Sequence, residues 1–149
     1  MAKLIGIATH TKSEGAITTH ETIKISEETG LKNDYRGSLK TETAVTLISQ
    51  KSWEKACQEC GAKLDWTERR ANLLINDIEF NDDMIGQQVQ IGNVLLEITR
   101  ETNPCLRMED LHKGLFKALA PQWRGGARCK VLRKGEIQLG DKVTVLKRF

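Results

Sequence analysis

Aromatic side chains are scarce in this chain, with three Trp, three Phe and one Tyr among 149 residues. Surfaces that stack nucleic-acid bases interleave rings with basic residues, so no nucleic-acid partner is expected. No apolar run approaches the roughly 20 residues of a membrane-spanning helix, so no membrane partner is expected either. The first residues, Met1 to Ile7, turn polar too soon for a secretory signal, which makes a cytoplasmic location and reduced thiols the expectation. Of four cysteines, Cys57 and Cys60 form a C-x-x-C, but Cys105 and Cys129 stand alone. A zinc ribbon needs a second such pair, so zinc is not expected. Blocks of like charge are also missing. The net charge is +3, and its modest basic excess suits the attraction of a small anion. Internal repeats, low-complexity tracts and linkers are absent, so residues 1–149 read as one domain.

The hydrophobic content of 39% and charged content of 29% are those of an ordinary globular protein. Lys3 to Thr9 reads as a strand, His10 to Gly15 as a polar loop, and Ile17 to Ile25 as a half-exposed strand. His20 there has no clustered ligand type beside it and reads as a solvated histidine. Thr43 to Ile48 is β-branched and apolar, a buried strand. Ser49 then caps a helix running to Cys60, with Gly61 as the left-handed residue that ends it. Trp53, Ala56, Cys57 and Cys60 share one stripe of that helix, which accounts for both cysteines as core. Arg69 to Ile75 joins a basic start to an apolar strand. Val89 to Ile98 folds as a hairpin about Gly92-Asn93. A second helix is expected from Asp110 to Ala120, stopped by Pro121, with the polar side of His112 outward. A strand entered through Gly125-Gly126 and running to Leu132, a short one between the turns of Gly135 to Asp141, and one over Lys142 to Leu146 complete the chain. Many short strands with few helices argue for a barrel or a sandwich.

Three stretches carry chemistry. In Thr102-Asn103-Pro104-Cys105-Leu106-Arg107-Met108, proline ends the preceding strand and leaves Cys105 in a loop, near the guanidinium of Arg107. A thiol beside a cation ionises more readily, and the thiolate is both nucleophile and metal ligand. The alternative is a half-buried cysteine acting as a small hydrophobe. Arg69-Arg70-Ala71-Asn72 places two guanidinium groups and an amide at a strand mouth, a grip for phosphate or a solvated surface. Gly30 to Gly37, with Asp34, Tyr35 and Arg36, is a polar loop that serves as a binding segment or as a plain turn.

In order along the chain, five pieces resemble the MOSC domain. They are Gly30-Leu31-x-x-Asp34-Tyr35-Arg36, Val45 to Ser49, Arg70-x-Asn72-Leu73-Leu74-Ile75, the Gly92 hairpin leading to Pro104-Cys105-x-Arg107, and Gly125-Gly126 through Val143. The resemblance implies a mainly β fold, a mostly antiparallel β-barrel with two or three short helices. It further implies a cleft that holds the molybdenum cofactor (molybdopterin) or carries its sulfur. Cys105 matches the reactive cysteine of that cleft; the ligand position of amidoxime-reducing relatives falls on Met108, so either Cys105 ligates molybdenum from a shifted position or the chain does not bind the metal as those relatives do. Arg70 and Asn72 match an Arg-x-Asn that grips the pterin and its phosphate. Ser49, Asp34, Arg36 and Arg107 are further candidates for the cofactor cleft. Where amidoxime-reducing relatives carry a second cysteine, this chain has Met108, a residue more suited to packing than to binding molybdenum.

Three functions follow from that likeness. The first is reduction of small N-hydroxylated substrates, with electrons from a partner reductase. In the second, Cys105 carries a persulfide for sulfuration of a cofactor or a metal–sulfur cluster, supplied by a cysteine desulfurase; no pyridoxal phosphate is expected on this chain. A binding module with a structural Cys105 is the third.

Overall fold

The computed structural model describes residues 1–12, 15–37 and 41–147. Residues 13 and 14 of the expected loop after the first strand lie outside them. Eleven strands are described: β1 (Leu4–His10), β2 (Ile17–Thr19), β3 (Thr22–Ser26), β4 (Gly30–Leu31), β5 (Val45–Ser49), β6 (Leu73–Ile75), β7 (Gln88–Ile91), β8 (Val94–Glu101), β9 (Ala127–Arg133), β10 (Gly135–Gln138) and β11 (Val143–Leu146). Three helices accompany them: α1 (Gln50–Cys60), α2 (Leu106–Leu111) and α3 (Leu115–Leu119).

The fold is mainly β and mostly antiparallel, as the sequence implies, but the expected barrel is not a closed one. Eight strands form one sheet in the order β11-β7-β8-β9-β5-β6-β1-β2, and β10, β3 and β4 form a second. Among the described residues, the start of β1 meets the segment entering β11 through one isolated bridge, Lys3 with Lys142, and backbone hydrogen bonds of Leu4 with Gly140 and Asp141 and of Val143 with Ala2, short of a continuous ladder that would close the sheet. The exception to antiparallel pairing is β5 with β6, joined through α1 as a parallel pair. The main core lies inside the curled sheet and includes Leu47, Leu73, Phe80, Leu96 and Ile98. A second core packs the helices on the sheet's other face through Ile48, Trp53, Met108 and Leu115.

Local rules account for the better-defined elements. Ser49 Oγ accepts from Ser52 N at 3.2 Å at the start of α1, and Gly61, at φ 75°, returns its N–H to the carbonyls of Cys57 and Gln58. Gly92, at φ 56°, turns the β7–β8 hairpin so that Ile91 pairs with Val94. Two expectations need correction. The strand expected over 17–25 is split at His20-Glu21 into β2 and β3, which pair with different partners. The helix expected over 110–120 starts at Leu106 and breaks before Gly114, which sits at φ 91°. The Glu109 carboxylate accepts from Gly114 N at 3.0 Å and Phe116 N at 3.3 Å, so it caps the start of α3. His112 turns inward, with Nε2 at 2.9 Å from the Cys60 carbonyl.

Candidate functional site

Strand register assembles the candidate residues. Thr46 of β5 lies opposite Arg128 of β9, and Arg128 lies opposite Arg100 of β8. On the other side of β5, Thr46 N donates to Asn72 Oδ1 at 3.0 Å, and Asn72 N donates to Thr46 Oγ1 at 2.9 Å. Asn72, just before β6, therefore continues the row that Thr46, Arg128 and Arg100 form across three strands. The connections that leave this row carry Cys105, Arg69, Arg70 and the Asp34-Tyr35-Arg36 loop.

Cys105 is exposed and occupies the residue before α2, in extended backbone; its carbonyl accepts from Met108 N at 2.9 Å. Arg69 stands behind its loop. Only 7% of Arg69 is exposed, and all three of its described hydrogen bonds go to carbonyls: Nε to Gly125 at 3.1 Å, and Nη2 to Thr102 and Asn103 at 3.1 Å each. Burial pushes its guanidinium down to about 10; the Cys105 thiolate opposes that shift, and the charges of Arg36 and Arg128 add to it. Arginine remains protonated at neutral pH nonetheless.

Arg70 points elsewhere. Its backbone is left-handed at φ 64°, and Nη2 donates to the carbonyls of Gly15 at 2.9 Å and Lys12 at 3.3 Å. Burial lowers its ionisation, and Arg107 and Arg36 lower it further, against the opposing pull of Tyr35 and Glu68. Arg36 donates to the Tyr35 hydroxyl at 3.2 Å and lies 5.8 Å from that ring's centroid. Burial also lowers Arg128, with Arg36 and Arg100 adding to the effect, and the Arg128 Nε is buried with no hydrogen-bond partner among the described residues. Arg36, Arg69, Arg70, Arg100, Arg107 and Arg128 thus form one web of mutual repulsion, with Cys105 at its edge. Such a web favours an anion.

The other candidates sit behind this surface. Asp34 is buried: its Oδ1 accepts from His10 N at 2.8 Å and stands 3.2 Å from His10 Nδ1, while Tyr35 N donates to the His10 carbonyl at 2.8 Å. The carboxylate thereby fixes the loop that presents Tyr35 and Arg36. Asn72, also buried, has its amide engaged by Thr46 and by the Ala8 carbonyl at 3.2 Å, which ties three strands together. Ser49 caps α1 and donates to the Ile78 carbonyl. Met108 is 1% exposed in the helical core, the packing role its chemistry suggests. Cys57 is buried and Cys60 half-buried on the inner face of α1, and burial raises the Cys57 thiol.

Sequence reasoning missed two side chains. His10 closes the buried pair with Asp34, and nothing in its flanking residues marks it. Arg69 reads in sequence as one of a pair with Arg70, and only tertiary structure distinguishes the inward guanidinium from its neighbour. Among the described residues no group of three or more His, Cys, Asp or Glu gathers as a metal site. No described helix is long and apolar enough to cross a membrane.

Solved structures share this fold at low identity. The YuaD protein from Bacillus subtilis superposes with a TM-score of 0.77 at 14% identity, over 100% of this chain and 98% of its own. YiiM from Geobacillus stearothermophilus matches with a TM-score of 0.75 at 15% identity, over 99% of this chain and 76% of its own. YiiM from Escherichia coli gives 0.70 at 12% identity, over 99% of this chain and 71% of its own. At such identities the likeness establishes fold alone. No curated protein matches the sequence. The family model of the MOSC domain matches residues 34–144, from the buried Asp34 through the Cys105 loop to the last strand, and the chain therefore belongs to the MOSC domain family.

Proposed function

We propose that the protein binds the molybdenum cofactor at the arginine web and reduces N-hydroxylated compounds there, with the Cys105 thiolate as the metal's protein ligand. The observation that supports this most directly is an exposed thiol set against a buried guanidinium that has no described carboxylate partner. MOSC domains are associated with molybdenum-cofactor binding. The donor set suits such a group: a cofactor that brings its own metal donors needs one soft thiolate from the protein and cations for its phosphate. The unpartnered Nε of Arg128 adds a buried donor to the same web.

Arg70, Arg36 and Arg107 would meet the pterin and phosphate. Asp34, Asn72 and Ser49 act from behind, through the loop and strands they fix. When bound, the cofactor would supply a centre able to exchange two electrons. Conversion of R–NHOH to R–NH2 and water consumes two electrons and two protons, with a partner reductase supplying the electrons. A second reading, in which Cys105 carries a persulfide from a cysteine desulfurase, draws support from the open position of the thiol. Leu106 beside it is 74% exposed.

Anaerobic reconstitution with cofactor, followed by metal and pterin analysis, tests the reading. Near-stoichiometric molybdenum is expected in the wild type, with loss in Cys105→Ala and in Arg70→Ala. Molybdenum retained in full by folded Cys105→Ala would exclude the thiolate ligand. A wild-type protein that takes up no cofactor but shows a persulfide on Cys105 by mass spectrometry would favour the carrier.

A further inference from the structure

We propose that the Arg100–Arg128 rung of the β8–β9 ladder is a second anion subsite, which takes a phosphate or carboxylate carried by the substrate and so makes that substrate an anionic N-hydroxylated compound. The assignment to substrate rests on the reaction proposed above; the anion subsite itself does not.

Register builds the rung. Glu97 of β8 lies opposite Lys130 of β9, and Ile98 lies opposite Cys129. A bulge then inserts Thr99, so the next opposed pair is Arg100 with Arg128. Directly opposed residues of an antiparallel pair share a face. Ala127 and Cys129 belong to the main core, so Arg128 between them points to the other face, and Arg100 with it. Without the extra residue, Arg100 would stand opposite Ala127 on the core face. The Thr99 hydroxyl pins the bulge, within hydrogen-bonding distance of the carbonyls of Glu42 at 2.7 Å and Arg128 at 3.1 Å.

Two neighbouring rungs on this face are treated differently. At one, Lys130 Nζ meets the Glu97 carboxylate at 3.6 Å. At the other, two arginines oppose each other, an arrangement that costs stability. Arg128 Nε is buried with no described hydrogen-bond partner, and no ion pair among the described residues reaches either guanidinium. Glu101, next along β8, stands opposite Ala127 and so faces the other way. Burial holds the Arg128 guanidinium below its ordinary value, and the charges of Arg36 and Arg100 add to that. An anion between the two forks would remove the repulsion and give the buried Nε an acceptor.

This is not the end of the row that suits the cofactor's phosphate. Arg70 precedes Asn72 by two residues, and its guanidinium reaches away from β8, to the carbonyls of Lys12 and Gly15 between β1 and β2. From Asn72 to Arg100 the row crosses three strand spacings, about 14 Å. One phosphate cannot bridge two arginines held that far apart. From Arg100, β8 runs on towards the Cys105 segment, so the rung borders the proposed reaction centre.

Titration calorimetry of cofactor-free protein with inorganic phosphate at low salt tests the subsite. A phosphate site should weaken about tenfold in Arg100→Gln and in Arg128→Gln, and persist in Arg70→Gln. Arg100 is exposed, so its variant keeps the test open if Arg128→Gln does not fold. Lys130→Gln, at the compensated rung, should bind phosphate as wild type does. Without phosphate, Arg100→Gln should melt no lower than wild type, because it relieves a repulsion; phosphate should then raise the melting temperature of wild type alone. Phosphate affinity within about twofold of wild type in Arg100→Gln, or abolished in Arg70→Gln, overturns the proposal. Cofactor-loaded protein separates the two sources of the anion. It should still bind phosphate at the rung, and should favour 4-carboxyphenylhydroxylamine over phenylhydroxylamine in kcat/KM, a preference that Arg100→Gln lowers about tenfold. A rung that loses phosphate on loading holds the cofactor's own phosphate, which overturns the assignment to substrate. Phosphate at the rung without cofactor uptake would remove the reductase reading and leave the anion subsite, and cofactor uptake with no Arg100 effect on phosphate would do the reverse.

Discussion

Two arginines are buried to nearly the same degree and treated in opposite ways. Arg124, 8% exposed, lies beside the helical layer, where Nη1 meets the Glu59 carboxylate at 2.9 Å and the Ala118 carbonyl at 2.9 Å. Arg69, 7% exposed, meets three carbonyls and no described carboxylate. The helical layer closes its polar groups in other ways too: Ser49 and Gly61 cap α1, Trp53 Nε1 donates to the Leu64 carbonyl at 3.1 Å, and His112 meets Cys60. Around the arginine web, Arg128 Nε and Thr102 Oγ1 are buried with no described hydrogen-bond partner. One region is built for packing. The other leaves Arg69 without a described carboxylate and two buried polar atoms without a described hydrogen-bond partner.

The largest effect that sharpens this contrast is expected at Trp53, 4% exposed in the helical core. Trp53→Ala should cost about 3–5 kcal/mol of unfolding free energy by removing a large buried side chain and leaving a cavity. Urea melts would measure that loss, and the Cys105 alkylation rate should stay at its wild-type value under conditions where the variant remains folded. A changed Cys105 rate in folded Trp53→Ala would show that the two regions are mechanically one.

A smaller effect is expected at Ser49, a cofactor candidate on sequence grounds that the structure uses as a helix cap. Ser49→Ala should cost about 1–2 kcal/mol, through loss of the cap and of the bond to Ile78. Molybdenum content per folded protein should be unchanged. Cofactor loss without stability loss would place Ser49 in the site and break the comparison.

The helical layer was also the more legible of the two regions. The Ser49 and Gly61 caps and the stripe of Trp53, Ala56 and Cys57 follow from contacts within a few residues of one another, which sequence spacing encodes. Spacing failed where a more distant group decided the outcome. The Glu109 carboxylate, five residues before Gly114, ends one helix and caps the next. Closure of the barrel depends on segments 139 residues apart, which meet through one isolated bridge, Lys3 with Lys142, and a few backbone hydrogen bonds rather than a ladder. Around Cys105 the candidate segments could be named from the sequence, but the direction of each side chain could not. Arg69 bonds carbonyls more than thirty residues away in sequence, and the Asn72 amide is engaged because Ala8 and Thr46 flank it. Such partners are set by tertiary structure, which neighbouring residues do not specify.

The finest test of the contrast is pH. Contact with Arg124 holds the Glu59 carboxyl below its ordinary value of 4.5, mainly through their hydrogen bond. A carboxyl with a depressed folded-state pKa contributes stability that is complete above 4.5 and is lost as pH falls through the lower folded value. Glu59→Gln should therefore be less stable than wild type at pH 6, and the gap should close on acidification below 4.5. The difference is expected to be small, because Glu59 is half exposed and solvent screens the pair. Arg69 titrates in a different range. Its depressed guanidinium value means that the unfolded chain binds the extra proton between about pH 10 and the ordinary arginine value, so its contribution too rises with pH, but only in that alkaline range. Urea melts from pH 3 to 6 thus isolate the compensated arginine. A Glu59→Gln protein that tracks wild type throughout would leave Arg124 held by the Ala118 carbonyl alone, and the two buried arginines would no longer differ in kind.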